Sequence, residues 1–245
     1  MSENNKSGLT VFGIIISLGL IISVMILSGT LKQIKFSDHY ITVKGYAERN
    51  ITSDYGTWSC QFNAKEKDLN TAYAKLQQNK QKIIQYLVAS GISNSSISES
   101  SIITVHNYKL NEKGFATTEL EGYSLSQNLY VWSKDVHLLK KISVNSSSLL
   151  AEGIEIASYD PRFFYSKLEG MKKEMLGAAT REAKERAEFL AKNTDSKVGG
   201  MKSAEQGVFQ ITPVNSTEVS DYGMYDETTI EKTIKAVVTI DFLIK

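Results

Sequence analysis

Cys60 is the one cysteine of this 245-residue chain, and thiol chemistry is the first activity to consider. A lone cysteine excludes an intrachain disulfide and a cysteine-based metal cluster. Trp58, Cys60 and Phe62 alternate with polar residues, which places the thiol on the apolar face of a predicted strand. Because burial raises the pKa of a thiol, we expect Cys60 to be an inert core residue and not a redox sensor.

Histidines and acids raise a second kind of chemistry, which is metal binding. The chain has three histidines, His39, His106 and His137. Their spacing puts no two of them on one face of a helix or strand, as a zinc-binding pair requires. The acids Asp221, Asp226 and Glu227 could hold a hard cation, but they lack the regular alternation of a calcium loop. We therefore expect a solvated loop at these acids and no metal site.

Phosphate binding and acyl transfer are not indicated by the sequence either. Gly199 and Gly200 follow a predicted helix instead of preceding one, so they cannot present helix N-terminal amides to a phosphate. No Gly-x-Ser-x-Gly sequence occurs, and no serine, histidine and acid set is suggested by position. The sequence predicts no catalytic residue and no cofactor, and hence a protein that is not an enzyme.

Two tyrosines near the end of the chain are the candidate partner-contact residues. Tyr222 and Tyr225 lie within residues 212–231, which show no clear period and contain Pro213 and Gly223. Tyrosine suits a partner surface because its apolar ring carries a polar hydroxyl. An ordinary exposed loop is the alternative interpretation of this segment.

Charge composition bears on the class of partner. The chain has 28 lysines and arginines against 27 aspartates and glutamates, a net charge of +1. A protein that binds nucleic acid gains affinity by neutralising phosphates, which requires a basic surplus. We therefore expect no nucleic-acid partner.

An uncharged apolar segment precedes all of these residues. Residues 7–31 carry no charge, and a helix needs roughly 20 apolar residues to cross a bilayer core. A cleaved secretory signal is the alternative, although its apolar core usually has about 7 to 15 residues. We expect an uncleaved single-pass anchor within residues 1–35 and a body formed by residues 36–245. The flanking lysines are nearly balanced and do not decide the orientation.

One long helix leads the elements that must position the rest of the body. Ser166 and Glu169 have the spacing of a capping box. An apolar stripe then recurs at steps of three and four through Leu168, Met171, Met175, Ala179, Ala183, Ala187 and Leu190. Because the stripe narrows to alanines, we expect its second half to pack closely on a sheet. A large residue at Ala183 should cost about 1–3 kcal/mol by overpacking.

Period-two alternation predicts several strands around two helices. The predicted strands are residues 40–49, 57–65, 102–110, 121–132, 153–165, 197–211 and 232–245. Asp68 is expected to cap a helix that runs to about Ala89, and residues 111–118 are expected to form a loop. The order of strands and helix recurs loosely in both halves. This predicts an α+β fold of two sheet-and-helix lobes, residues 38–150 and 151–245, with mostly antiparallel strands.

Several segments match, in order, those of a known family. They are ITVKGYAER at 41–49, GYSLSQNLYVWSKD at 122–135, EGIEIASYD at 152–160, AATREAKERAEFLAK at 178–192 and VGGMKSAEQG at 198–207. Together they resemble the SIMPL-domain family, which includes bacterial periplasmic immunogenic antigens and proteins linked to oxidative-stress defence. The resemblance covers about residues 38–245. It implies an extracytoplasmic body that tends to form larger oligomers, with no agreed catalytic reaction and no catalytic motif.

Two features depart from the family pattern. One is the anchor, since many relatives have a cleaved signal instead, and the other is the extended segment 212–231. We expect a membrane-anchored protein of the cell envelope, with its body outside the cytoplasm. It should act as a homo-oligomer or by binding a protein partner that the sequence does not name, in envelope or oxidative-stress defence. One alternative is a stress sensor that binds a small molecule in a cleft between the lobes. An enzyme is the less favoured alternative.

Overall fold

A computed structural model describes the backbone of residues 3–36 and 39–245 and the side chains of residues 12–28 and 39–245. The helices are α1 (Glu3–Phe36), α2 (Leu69–Ala89), α3 (Val136–Asn145), α4 (Ser148–Ala151) and α5 (Leu168–Lys192). The strands are β1 (Tyr40–Thr52), β2 (Tyr55–Glu66), β3 (Ile97–Glu99), β4 (Ile103–Leu110), β5 (Ala116–Ser133), β6 (Ile156–Ser158), β7 (Arg162–Phe164), β8 (Val198–Gln206), β9 (Gln210–Pro213), β10 (Met224–Tyr225) and β11 (Glu231–Ile244).

The N-terminal apolar segment forms part of α1, a helix of 34 residues. Residues 12–28 of this helix are exposed. The side chains of residues 7–11 and 29–31, which belong to the predicted anchor, lie outside the described set. Among the described residues, none of the helices combines the length and the apolar character needed to cross a bilayer.

The described strands form two sheets. In the six-stranded sheet the order is β3-β5-β2-β6, with β4 also paired to β5 and β7 also paired to β2, all antiparallel. In the five-stranded sheet the order is β1-β11-β9-β10, with β8 antiparallel to β11 and β10 parallel to β9. The predicted α+β class with mostly antiparallel strands is confirmed.

The chain forms two compact units from different ranges than the expected lobes. Unit 1 contains Met1–Ala47, Glu174–Val208 and Ala236–Lys245. Unit 2 contains Glu48–Lys173 and Phe209–Lys235. Neither unit is one continuous segment, because β1, α5 and β11 each have residues in both.

The core of unit 2 lies between the six-stranded sheet and helices α2 and α3. Apolar residues of β2 and β5 alternate into this core, while Leu76, Ile83 and Leu87 of α2 cover them. Asp68 begins α2 as predicted, since its carboxylate accepts a hydrogen bond of 3.0 Å from the Thr71 amide. Gly91 follows the helix with a φ of +104°, a conformation that glycine adopts without a steric cost.

In unit 1 the alanine stripe of α5 packs directly on β1, as the sequence predicts. Ala179 and Ala183 are fully buried. A Cβ atom built on Gly45 of β1 would lie 2.0 Å from the Ala179 carbonyl oxygen and 2.7 Å from the Ala183 Cβ. Helix and strand can approach this closely only because both surfaces have almost no side chain.

Two details of the predicted long helix are wrong. Ser166 does not form a capping box, because its amide and hydroxyl both donate to the Asp54 carboxylate, at 2.7 and 2.6 Å. Glu169 instead accepts a hydrogen bond from Lys172. The buried stripe also ends on Ala191 and not on Leu190, which is exposed.

The strand boundaries differ from the prediction in several places. The predicted strand 197–211 is divided into β8 and β9. Residues 116–118, predicted as part of a loop, belong to β5, which is 18 residues long. The predicted strand 153–165 is divided into β6 and β7, which both pair with β2. Pro161 lies in the gap, where its missing N–H removes no ladder hydrogen bond.

Candidate functional site

Cys60 is a buried core residue of unit 2, as predicted. Its relative exposure is 0%, and in the sheet register it lies opposite Leu129 of β5. Burial raises the pKa of the Cys60 thiol to about 12, against a small opposing effect of a hydrogen bond with the Leu129 backbone. A thiol with so little thiolate at neutral pH is a poor nucleophile and a poor metal ligand.

The histidines do not converge on a metal site. His106 lies on β4 with its ring 5.2 Å from the ring of Tyr123, and His137 lies in α3. In the part of the chain that the structure describes, no group of three or more histidine, cysteine, aspartate or glutamate residues could hold a metal ion.

Two of the three loop acids, Asp226 and Glu227, are engaged by protein groups. Asp226 accepts hydrogen bonds from the Thr228 amide at 2.8 Å and from the Thr229 hydroxyl. Its Oδ2 atom lies 3.6 Å from the Lys232 Nζ atom, and the two side chains are 6% and 1% exposed. Glu227 accepts from Arg162. The expected solvated loop is therefore wrong for Asp226, although Asp221 is exposed.

Hydrogen bonds and opposite charge counteract the burial of the Asp226–Lys232 pair. Burial alone would raise the pKa of Asp226, but hydrogen bonds from Thr229 and Thr228 and the charge of Lys232 bring that pKa below its ordinary value. Burial lowers the pKa of Lys232, and Asp226 opposes this effect. The pair holds the chain before β11, because the Lys232 ammonium also donates to the Asp226 carbonyl oxygen.

Tyr222 and Tyr225 lie in different settings. Tyr222 is 97% exposed, next to the positive-φ residue Gly223. Tyr225 belongs to β10, where it pairs with Ile211 of β9, and it is 42% exposed. Their proposed role as partner contacts stays a prediction.

A projecting hairpin of unit 2 has the geometry of an interaction element. We call it the arm, and define it as residues 107–110 of β4, the turn 111–115 and the first part of β5, residues 116–122. β2 pairs with β5 only as far as the Glu66–Tyr123 pair. Among the described strands, only β4 pairs with residues 116–122. The arm is therefore a two-stranded ribbon that extends past its own sheet.

Gly122 marks the junction at which the arm leaves the sheet. A Cβ atom built on it would lie 2.5 Å from the Glu66 carbonyl oxygen and 3.1 Å from the Lys67 Cα atom. β5 thus passes the end of β2 at a distance that only glycine permits. Beyond this point the register between β4 and β5 shifts, so that Tyr108 lies opposite Leu120.

The tip of the arm is fixed by its own hydrogen bonds. The Asn111 side chain accepts from the amides of Lys113 and Phe115, both at 3.0 Å. The Asn111 backbone N–H donates to the Phe115 carbonyl oxygen at 2.8 Å, and Gly114 adopts a φ of +80°. An asparagine that bonds to the backbone of the following residues, with a left-handed glycine, is typical of a defined turn.

The arm exposes large apolar side chains on an otherwise polar ribbon. Four of them, between 42% and 67% exposed, are Tyr108, Leu110, Phe115 and Leu120. The ion pair between Lys109 and Glu119 joins the two strands. A two-stranded hairpin is marginally stable in water unless a third strand or another surface covers it. The arm can therefore supply an apolar surface and an unpaired strand edge to a partner.

The arm was not predicted, because residues 111–118 have the polar composition of a loop. Thr117 and Thr118 have the β-branched side chains that favour strands. Their neighbours show no apolar alternation because neither face of the arm is buried. The preceding strand was predicted, at residues 102–110, and β4 spans Ile103–Leu110.

The sequence matches the family model SIMPL, described as "Protein of unknown function (DUF541)", over residues 41–242. This match covers most of the chain and confirms the resemblance noted from its segments. The chain belongs to the SIMPL family. No curated protein matches it.

Three solved structures show only weak likeness to this SIMPL chain. The de novo designed protein Foldit4 is 9% identical with a TM-score of 0.23, over 42% of this chain and 93% of the design. A hydantoinase/carbamoylase family amidase from Burkholderia ambifaria is 7% identical with a TM-score of 0.24, over 44% of this chain and 28% of the amidase. An uncharacterized conserved protein from Listeria innocua is 8% identical with a TM-score of 0.20, over 78% of this chain and 91% of the Listeria protein. Such scores support no argument about fold or function.

Proposed function

We propose that this SIMPL protein is a non-catalytic component of the cell envelope whose copies associate through the arm. The observation that carries the proposal is the projection of the arm beyond its sheet, with exposed apolar side chains on it. Such a ribbon gains stability when another chain covers it. A second copy is a suitable occupant because the outer edge of β4 can pair with another strand.

The charges of the arm support self-association over binding to a strongly charged partner. Lys109 and Lys113 stand against Glu112, Glu119 and Glu121, so neither sign dominates. Two copies of such a surface can meet without a large excess of like charge, whereas a strongly acidic or basic partner would leave part of it unmatched. An isologous contact between identical arms would also close into a defined oligomer.

The test is the solution mass of the full chain in detergent, measured by light scattering at two protein concentrations. We expect a discrete mass above that of the monomer. Leu110→Asp puts a carboxylate on the arm and should shift the protein toward the monomer with an unchanged circular dichroism spectrum. The matched control is Leu150→Asp, because Leu150 of α4 is similarly exposed and lies outside the arm. A monomeric wild-type protein, or equal effects of both variants, would contradict the proposal.

The proposed membrane attachment rests on the sequence of residues 7–31, which are uncharged and longer than the roughly 20 residues that a bilayer core requires. The body would then lie outside the cytoplasm, as the SIMPL resemblance implies. Extraction of membranes with alkaline carbonate tests the attachment, and protease treatment of intact cells tests the side. Release of the uncut chain into the carbonate supernatant would argue against an anchor.

The proposed role in oxidative-stress defence does not use thiol chemistry, because Cys60 is buried and its pKa is raised to about 12. Cells that carry Cys60→Ala should survive peroxide as well as cells with the wild-type protein, while cells without the protein should be more sensitive. If Cys60→Ala behaves like the deletion and the protein is still present, a thiol mechanism replaces this one.

A further inference from the structure

Two aromatic side chains stand side by side on the outer face of the six-stranded sheet in unit 2. Leu129 and Val131 of β5 point into the core and are 1% exposed, whereas Tyr130 and Trp132 point the opposite way and are 46% and 49% exposed. Residues two apart on a strand share one face. The two rings therefore face the same side of the sheet, and we call the surface that they form the platform.

Hydroxyl residues border each ring. In the register of the sheet, Tyr130 lies between Ser59 of β2 and Ser98 of β3. Trp132 lies opposite Thr57, which pairs on its other side with Arg162 of β7. Serine and threonine hydroxyls both donate and accept hydrogen bonds, so the border suits a ligand that also does both.

The platform is the floor of a cavity. The cavity has a volume of about 370 Å³, and its lining includes Tyr130, Trp132, Asp160 and Arg162. Small-molecule sites commonly occupy about 300–1,000 Å³ and combine apolar walls with a few polar groups. The volume and the mixed lining both fit a ligand made of several linked rings. Such a ligand would lie partly in the cavity and partly across the outer face of the sheet.

The charges of the cavity indicate a neutral ligand. Asp160 and Arg162 are the acid and the base among its lining residues, and they balance each other. Arg162 also forms an ion pair with Glu227, which reduces its attraction for an anion. A nucleic acid could stack its bases on the rings, but its phosphates would find no basic groove.

We propose that this face binds a neutral saccharide, with sugar rings stacked on Tyr130 and Trp132. The flat side of a pyranose presents C–H groups with a small positive charge, which complement the negative face of an aromatic ring. Its hydroxyls can donate to the Asp160 carboxylate and accept from the hydroxyls of Thr57, Ser59 and Ser98. This binding function is independent of the arm.

The two tryptophans give a built-in readout. Trp58 is 2% exposed and Trp132 is 49% exposed, so quenching of tryptophan fluorescence by iodide reports mainly on Trp132. The full chain is titrated with maltohexaose, cellohexaose and chitohexaose in a detergent without a sugar headgroup. We expect at least one of them to protect Trp132 from iodide and to give a matching calorimetric titration.

Tyr130→Ala should weaken that binding at least about tenfold, because it removes one of the two rings on which the saccharide stacks. The matched control is Tyr73→Ala, because Tyr73 of α2 is 51% exposed and lies outside the cavity lining. This variant should bind as the wild type does. Equal losses in both variants would overturn the proposal.

Three further results would overturn it. The first is that none of the three hexasaccharides binds at about 1 mM, the concentration that corresponds to weak binding of −4.1 kcal/mol. The second is that single-stranded poly(dT) binds in their place and loses affinity in Tyr130→Ala, which would make the face a nucleic-acid site. The third is protection of Trp132 that rises with protein concentration alone, which would make the face a contact between copies.

Discussion

The two halves of β5 are one continuous strand in two different environments. Residues 123–133 pair with β2, and their odd-numbered side chains alternate into the core under α2 and α3. Residues 116–122 pair only with β4 among the described strands, and all of them except Gly122 are exposed. The hydrogen-bonded ladder continues from one half to the other. Helices α2 and α3 cover only the half formed by residues 123–133.

The difference teaches that strand formation and burial are separate properties. Backbone pairing with β4 is sufficient to extend the strand, but only the half that lies under the helices contributes a hydrophobic core. Apolar side chains of the arm therefore add little to the stability of the monomer. Their energetic contribution is available to an intermolecular contact instead.

Thiol reactivity should show the largest contrast between the two halves. Cys60 lies opposite Leu129 in the covered half, and its pKa of about 12 against an ordinary 9.0 lowers its thiolate fraction about a thousandfold near neutral pH. We expect Cys60 to react with a disulfide reagent at least that much more slowly than the thiol introduced by Leu120→Cys in a Cys60→Ala background. Its rate should keep rising above pH 9, where the rate of the introduced thiol levels off. Similar rates in native protein would contradict the comparison, and denaturant should equalise them.

Leu129→Ala should cause the next largest effect. Leu129 is 1% exposed, and its truncation leaves a cavity in the core, which usually costs about 2–5 kcal/mol. Urea unfolding of the variant, followed by circular dichroism, should show this loss in the free energy of unfolding. A loss below that range would mean that the covered half is packed more loosely than its burial indicates.

Gly122→Ala tests the junction between the halves. The added methyl group would meet the Glu66 carbonyl oxygen at 2.5 Å, so the backbone must shift, at a cost of about 1–3 kcal/mol. Gly170→Ala is the control, because a Cβ atom there meets nothing within 4 Å and lies in α5. The control should be neutral or slightly stabilising in the same unfolding experiment. If Gly122→Ala is also neutral, the close approach to β2 is not a constraint.

Leu120→Ala should have the smallest effect. Leu120 is 42% exposed in the arm, and exposed substitutions usually change stability by no more than about 0.5 kcal/mol. This holds at protein concentrations where the monomer dominates. A monomer that loses as much stability from Leu120→Ala as from Leu129→Ala would remove the distinction between the halves.

The sequence predicted the elements that have one covered face. The alanine stripe of α5 and the alternation of β11 both match the observed burial, because a regular apolar period records contact with a core. The same logic explains the missed extension of β5, where no face is covered and no period results. The predicted capping box at Ser166 was wrong for another reason. Asp54, which accepts a hydrogen bond from the Ser166 hydroxyl, lies 112 residues away in sequence. A local sequence motif cannot include such a partner.

The candidate sites were predicted only where the local pattern was decisive. The burial of Cys60 followed from its apolar neighbours on one strand. The burial of Lys232 did not, because lysine is normally exposed and its partner Asp226 is held by the hydroxyls of Thr228 and Thr229. The platform of Tyr130 and Trp132 required the register of β5 with β2 and β3, which alternation alone does not give.

The make-up of unit 1 has a consequence for the synthesis of the chain. In this unit the Thr42 hydroxyl donates to Asp241 at 2.6 Å, across 199 positions of sequence. Gly45 of β1 likewise packs on Ala183 of α5. Contacts between residues so far apart form late, since closing a long loop costs conformational entropy before the contact is gained. Unit 1 therefore cannot close while the ribosome is still adding residues 236–245, and until then the alanine stripe of α5 has only part of the sheet that covers it.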